Sequence, residues 1–296
     1  LAGIEVMAYS RDQQMHYEFG RKLRHISEHK NAWELYHYRK DEDQAARQMA
    51  VGAIVSLRST LSLIVDQSAN LSVDNPILDY AQFDCYSCHH DLGGESWRQK
   101  ARGEGKPGRV RPRLWSKPLA RVVVQHAAEI TKQTQLLGEF DAAYKDVLAA
   151  FDAHPLGVQL GEERPLRDKV LALDALCAAF LKVQEAEIYT KENVKVLKQM
   201  LAAEMASADR PDLVPDSAQQ MVWAFGILND DPAEWERTAA YKELDKYMPL
   251  RVRPAKMELD SAGKPVPLAK YSQDRSRRCA DYRPDELRRL MTPFSK

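Results

Sequence analysis

Two cysteines and a histidine stand together in residues 83–92, which have the sequence FDCYSCHHDL. Cys85 and Cys88 are three positions apart, and His89 follows directly. At this spacing both thiols lie on one side of a single turn, where each can bond a vinyl-derived carbon of a porphyrin. The next residue can then coordinate the central iron, because neutral imidazole is a good iron ligand. The motif predicts one covalent c-type haem, tethered by Cys85 and Cys88, with His89 as the proximal ligand.

Paired cysteines also serve other chemistries, which the sequence leaves as alternatives. A zinc site needs four ligands, and only His89 or His90 stands near the pair, since Cys177 and Cys279 are isolated. A thioredoxin-like dithiol needs a strand–helix context that the pattern lacks. Inert thiols or a simple disulfide complete the alternatives. Haem attachment is the interpretation that the full Cys-x-x-Cys-His order favours.

The two isolated cysteines differ in their surroundings. Cys177 continues an apolar helical period with Leu173 and Phe180, which predicts a small buried thiol. Cys279 stands in an Arg-rich tail. A disulfide between them is an alternative in an oxidising compartment, although sequence spacing supplies no geometry for it.

A haem iron has a sixth position, for which His126 is the favoured ligand. Its helical neighbours are Val122, Val123 and Ile130, so its side chain is expected to face the apolar interior. A protein ligand there favours electron transfer, whereas an open iron permits small-ligand chemistry. The other candidates are His16, His25, His29, His37, His90 and His154, with Met15 and Met49 as thioether alternatives.

A basic stretch follows the cysteine motif. Residues 98–121 contain nine Lys or Arg and one acidic residue. Three interpretations are open: a solvated loop, a docking patch for an acidic redox partner, or a local site for the haem propionates. For the last role we predict Arg98 and Arg113, which can pair with carboxylates in a bidentate manner, together with Trp97 or Trp115.

Three strings carry a family resemblance: residues 83–92, residues 96–99 (SWRQ) and residues 112–115 (PRLW). They resemble the planctomycete-type cytochrome c family, and the similarity is specific at residues 83–115. Residues 216–224 (DSAQQMVWA) are similar to a helix in the C-terminal halves of those proteins. The resemblance implies haem binding and a periplasmic or otherwise extracytoplasmic location, but no substrate. Many family members carry further haem motifs, whereas this sequence contains one.

The elements that must position these residues are predicted to be helices, because their apolar residues recur at helical spacing. No alternation typical of strands is evident. Asp216 is expected to be an N-cap, and Pro232 to lie in a first helical turn. We predict an all-α fold, with one or more helical bundles around the haem, a long Arg/Pro/Gly-rich loop at 93–117 and an extended tail from 249. The predicted helices span 12–28, 42–68, 118–152, 165–188, 191–207, 216–228, 232–247 and 284–291.

Length and composition suggest the domain organisation. We predict a haem-binding helical domain at 1–158, a C-terminal bundle at 159–248 that could continue the first, and a tail with a short helix at 249–296. The 43 basic and 43 acidic residues balance, which argues against nucleic-acid binding. No apolar run long enough for a membrane span is evident. The chain starts at Leu1 without a leader-like segment, so a leader has been removed or upstream residues are missing.

These expectations converge on an extracytoplasmic c-type cytochrome that transfers electrons through one haem to redox partner proteins. The alternatives are an enzyme or gas sensor with an open iron, and a structural haem subunit of a larger multihaem complex. An electron carrier or a redox-complex subunit is favoured over an enzyme, because no distal acid–base pair can be placed.

Overall fold

A computed structural model describes residues 43–70, 112, 115–152, 165–207, 213–229, 232–248, 250 and 282–295. Within these residues the chain is helical, and no β-strand is present apart from an isolated bridge at Pro112. The predicted all-α class is confirmed. The predicted first helix (12–28) and the cysteine motif lie outside the described residues.

The described part of the chain contains nine α-helices. They are α1 (Gln44–Asn70), α2 (Lys117–Thr131), α3 (Gln135–Asp152), α4 (Pro165–Ala186), α5 (Lys191–Ala206), α6 (Pro215–Ile227), α7 (Pro232–Arg237), α8 (Ala239–Tyr247) and α9 (Pro284–Met291), followed by a 3₁₀ turn at Thr292–Phe294.

Helix α2 is the centre of the bundle, because it packs against α1, α3, α4, α5 and α6. Between residues 117 and 128 all residues except Arg121 and Gln125 are buried. A helix that is apolar on nearly every side must be enclosed by other helices. A polar side chain at a buried position of α2 must therefore find its partner inside the protein.

Helices α1 and α4 form the most extensive pair in the described part of the chain, and they run antiparallel. Arg58 donates two hydrogen bonds to the Asp174 carboxylate, at 2.8 and 3.0 Å. Nearer the start of α1, Arg47 donates to the carbonyl of Glu185 at 3.1 Å. A step forward along α1 thus matches an equal step backward along α4. Both contacts fix one register between the two helices.

Helix α1 buries one stripe in the core, which consists of Ala46, Met49, Ala50, Ala53, Ile54, Leu57, Leu61 and Ile64. Its segment Ala45–Asp66 is also long and apolar enough to cross a membrane by length and composition alone. The buried core helix of a soluble protein meets the same criteria. The absence of a membrane span therefore stays a prediction.

The prediction of a single helix over 118–152 is wrong. The segment divides into α2 and α3 at Lys132, whose φ of 59° is left-handed and whose N–H turns back to the carbonyls of Ala128 and Glu129. A left-handed residue ends a helix and redirects the chain. The apolar period continues on both sides of the break, so the period alone did not reveal the corner.

Two further details of the C-terminal half correct the prediction. Asp216 is not an N-cap: α6 is preceded by Val214 and has Pro215 at its first position, which leaves Asp216 in the first turn. The predicted helix 232–247 divides into α7 and α8 at Thr238. The Thr238 hydroxyl accepts from the N–H of Tyr241 at 3.1 Å and caps the second helix.

The remaining predicted helices match α1, α4, α5 and α9 closely. The proposed domain boundaries, at 158 and 249, fall outside the described residues. Helices from both sides of residue 158 share one hydrophobic core, since α1 packs on α4 and α2 packs on α5.

The packing of α6 can be tested with glycine substitutions. A Cβ on Gly226 would lie 2.9 Å from Cδ1 of the buried Trp235 ring. We expect Gly226→Ala to lower the free energy of unfolding by about 1–3 kcal/mol, because a buried indole must shift. The matched control is Gly138→Ala in α3, where a Cβ has nothing within 4 Å. There alanine should stabilise the helix by about 0.5–1 kcal/mol.

Urea denaturation of both variants beside the parent chain measures the two effects. Equal midpoints for Gly226→Ala and Gly138→Ala would contradict this packing of α6 on α7.

Candidate functional site

The predicted haem-contacting residues divide between described and undescribed parts of the chain. His126, the favoured sixth ligand, lies in α2 and is described. Trp115, the alternative to Trp97, is also described, and its carbonyl accepts a hydrogen bond from the Ser217 hydroxyl at 3.0 Å. The remaining predicted site residues lie outside the described residues, and their roles stay predictions. They are Cys85, Cys88, His89, Trp97, Arg98 and Arg113.

His126 lies inside the bundle, as its apolar neighbours predicted. It is 2% exposed and belongs to a helix that is buried along most of its length. The aromatic ring of Tyr189 stacks on it, with ring centroids 5.8 Å apart and ring planes inclined by 22°. Tyr189 follows α4 and is fully buried, so the imidazole is covered from the α4–α5 connection.

Gln184 connects the Tyr189 ring to the backbone of α2. Its Nε2 donates to the carbonyl of Val123 at 3.2 Å, and its Oε1 accepts a hydrogen bond from the hydroxyl of Tyr189. Gln184 is fully buried. Its amide therefore bridges helix α2, helix α4 and the connection to α5.

The environment keeps His126 neutral near physiological pH. Burial lowers the pKa of His126 below its ordinary value, because a charged ring is poorly solvated in the core, and the adjacent Gln184 side chain offsets this in part. The Nδ1 atom is buried and has no hydrogen-bond partner within the described chain. A neutral imidazole with an unpartnered nitrogen is the form that coordinates a transition metal. The donor chemistry of His126 thus fits an iron ligand.

Gln184 and Tyr189 were not recognised as site residues from the sequence. Gln184 continues the buried stripe of Leu173, Cys177 and Phe180 along α4, so a polar residue at a core position was a usable signal. Tyr189 lies between two helices, and no local pattern indicates its contact with His126.

Arg121 anchors the helix that carries His126. Its guanidinium contacts Asp141 of α3 at 2.8 Å and the buried Glu204 of α5 at 3.1 Å. Burial by itself would lower the pKa of Arg121, but its hydrogen bonds to Asp141 and the charge of Glu204 raise it overall. These two ion pairs link three helices, and they pair the guanidinium with carboxylates of the protein itself.

Lys117 is also drawn into the fold, with its Nζ 4.8 Å from the centroid of the Tyr144 ring. Lys117 and Arg121 are the last two basic residues of the stretch at 98–121. Both pack against neighbouring helices, so any propionate or docking role belongs to the earlier part of that stretch.

Other candidate ligands are placed as follows. Met49, one of the two alternative thioether ligands, is buried in the core stripe of α1. Cys177 is a free buried thiol, as predicted. No group of three or more His, Cys, Asp or Glu side chains in the described ranges could hold a metal ion. The other histidines and Met15 lie outside these ranges.

No protein-family model, no curated protein and no solved structure matches this chain. The resemblance to the cytochrome c family therefore stays an expectation that rests on the residues quoted for it.

The neutral state of His126 predicts a dependence of stability on pH. Folding lowers the pKa of His126. Below a pH of about 6.5, the unfolded chain therefore binds a proton at His126 that the folded chain does not bind. Stability should then fall by up to about 1.4 kcal/mol per pH unit until the folded pKa is reached. The variant His126→Leu should lack this contribution.

Urea denaturation of the parent and of His126→Leu, at about pH 7.5 and 5.5, measures the difference between their pH slopes. Parallel losses of stability in the two proteins would show that His126 is not held neutral by the fold.

Cys177 predicts a second chemical property. Burial, aided by the nearby Asp174, raises the pKa of Cys177 to about 12. The reactive thiolate is therefore scarce, and the sulfur is enclosed. We expect the native parent and a Cys177→Ser variant to titrate the same number of thiols with a disulfide reagent. In concentrated guanidinium chloride the parent should show one more, and a difference already present in the native proteins would contradict the buried position.

Proposed function

We propose that this chain is a c-type cytochrome that transfers electrons outside the cytoplasm through one covalent haem. The observation that carries the proposal is the order Cys85-x-x-Cys88-His89. Two thiols and an imidazole at this spacing are what thioether attachment and iron ligation require. When bound, the haem supplies an iron that is reversibly oxidised and reduced by one electron.

Each residue of the motif has a separate task. Cys85 and Cys88 form thioethers that keep the cofactor in place through both redox states. His89 provides the proximal nitrogen. His126 provides the sixth ligand, and its burial, neutral state and unpartnered Nδ1 support that role. Two protein ligands leave no open iron position, which favours electron transfer over small-ligand chemistry.

The position of His126 also suits repeated redox cycling. Its helix is enclosed by five others and is fastened through Arg121 to α3 and α5. Close-packed interiors resist displacement of their side chains. A ligand held in this way keeps its orientation when the charge of the iron changes, so little atomic rearrangement opposes the electron transfer.

The basic stretch supplies contacts at the edge of the cofactor in this proposal. Arg98 and Arg113, with Trp97, would bind the haem propionates by charge-assisted hydrogen bonds. The remaining cations before Lys117 would attract an acidic redox protein or a further haem subunit, in a manner that weakens with salt. A periplasmic location accords with these partners and with the family resemblance.

A pyridine haemochrome assay on protein produced with a c-type maturation system tests the proposal. We expect a c-type spectrum at one haem per chain, and haem that stays with the polypeptide through denaturing electrophoresis. A Cys85→Ala/Cys88→Ala variant should lose that retained haem. Cys177→Ala, which removes a buried thiol far along the sequence from the motif, is the matched control and should keep it.

Thiol titration of the denatured protein gives an independent count. Four cysteines less the two thioether sulfurs leave two titratable thiols in the reduced holoprotein. Four thiols, or stoichiometric zinc with no haemochrome, would reject the cytochrome assignment. A c-type spectrum that responds to carbon monoxide would instead favour a sensor or enzyme with open iron.

A further inference from the structure

The outer side of the α1–α4 pair forms a groove without net charge, and we propose that segment 12–28 of the same chain docks in this groove as a helix. The occupant is the N-terminal amphipathic helix that the sequence predicts, whose residues lie outside the described part of the chain. The interaction surface is independent of the haem and of the residues assigned to it.

The floor of the groove is the ion pair between Arg58 of α1 and Asp174 of α4. The two carboxylate oxygens accept from the guanidinium at 2.8 and 3.0 Å. Arg58 is the only charged residue of α1 between positions 48 and 65, and Asp174 is the only one of α4 between 170 and 181. Because the two charges neutralise each other, about 20 Å of the paired helices present an uncharged surface.

Apolar side chains line both walls of the groove. Val55 of α1 is 43% exposed and Leu171 of α4 is 44% exposed. Val55 precedes Arg58 by three residues, and Leu171 precedes Asp174 by three, so each lies one helical turn from the ion pair. The half-buried Ala178 continues the α4 wall on the other side of Asp174. The groove is therefore an apolar surface between two helices, of the kind that accepts a third helix.

The chain that precedes α1 leaves the described fold at one end of this groove. The N–H of Asp43 donates to the carbonyl of Tyr189 at 2.9 Å, which holds the start of α1 beside the end of α4. Residues 29–42 connect this point to the predicted helix. A flexible linker of that length has an end-to-end distance of about 20 Å, which matches the length of the groove. The tether thus keeps the segment at an effective concentration of about millimolar.

Segment 12–28 has the surface that complements the groove. Its apolar residues recur at helical spacing on one side, as Met15, Phe19, Leu23 and Ile26. As a helix it would be about 25 Å long, close to the length of the uncharged surface. A helix with one apolar stripe is stable when another element covers that stripe. The groove and the segment therefore agree in length, in chemistry and in their connection along the chain.

Single charge insertions in the full-length protein test this docking. Val55→Glu and Leu171→Glu each place a charge in the groove. Leu23→Glu places the same charge in the apolar stripe of the segment. The two groove positions are nearly half exposed, so these substitutions leave the core of the bundle unchanged.

Two matched controls add the same charge outside the proposed contact. Leu63 is 55% exposed on α1, but it lies about 140° around the helix from Arg58, whereas Val55 lies about 60° from it. Leu63→Glu therefore leaves the groove uncharged. Gln14→Glu lies on the side of the predicted segment helix opposite its apolar stripe.

Limited trypsin digestion with mass spectrometry reports release of the segment, because Arg21, Lys22 and Arg24 are trypsin sites within it. A docked helix is cleaved only from the state in which it has opened. We expect the two groove variants and the stripe variant to be cleaved at these sites about 10–100-fold faster than the parent. Both controls should match the parent. Equal rates in the parent and all five variants would overturn the proposal.

A photo-reactive p-benzoylphenylalanine at position 55 identifies the occupant directly. We expect a cross-link to a peptide from segment 12–28, in a product that keeps the mass of one chain on denaturing electrophoresis. The same amino acid at position 63 should not give this product. A cross-link to a second copy, which doubles the mass, would overturn the proposal, as would a cross-link to another segment or none at all. A haemochrome assay on the same samples tests the proposed function separately.

Discussion

The burial of helix α2 on nearly all sides is the constraint on which the described fold depends. Five helices pack against it, so the polar groups on its buried faces must be satisfied within the protein. Arg121 meets this requirement through two carboxylates on different helices. The His126 ring stacks on Tyr189, while its Nδ1 is left without a hydrogen-bond partner in the described chain. This nitrogen is therefore the atom on which the proposed role of His126 as a metal ligand depends.

The antiparallel register of α1 and α4 brings the partners of His126 into place. Arg58 with Asp174, Arg47 with Glu185, and the N–H of Asp43 with the carbonyl of Tyr189 all follow the same register. The end of α4 and the residues after it are therefore held beside the start of α1. The register of this helix pair thus determines where Gln184 and Tyr189 lie relative to His126.

Much of the architecture could be predicted because helical periodicity is a local signal. The bounds of α1, α4, α5 and α9 follow from it, as do the inward side chain of His126 and the buried thiol of Cys177. The corner at Lys132 and the division at Thr238 could not be predicted in this way, because apolar positions keep their spacing through a break. The direction of the chain there depends on one residue's backbone conformation and on one cap.

The sequence by itself determined the helical class, the face of α2 that is buried, and the prediction of a haem tether, since each depends on residues close together in the chain. Only the tertiary structure decided what surrounds His126. The hydrogen bond from Gln184 to the Val123 carbonyl joins residues 61 positions apart. No local period encodes such a pairing, because it exists only after α2 and α4 have packed in one register.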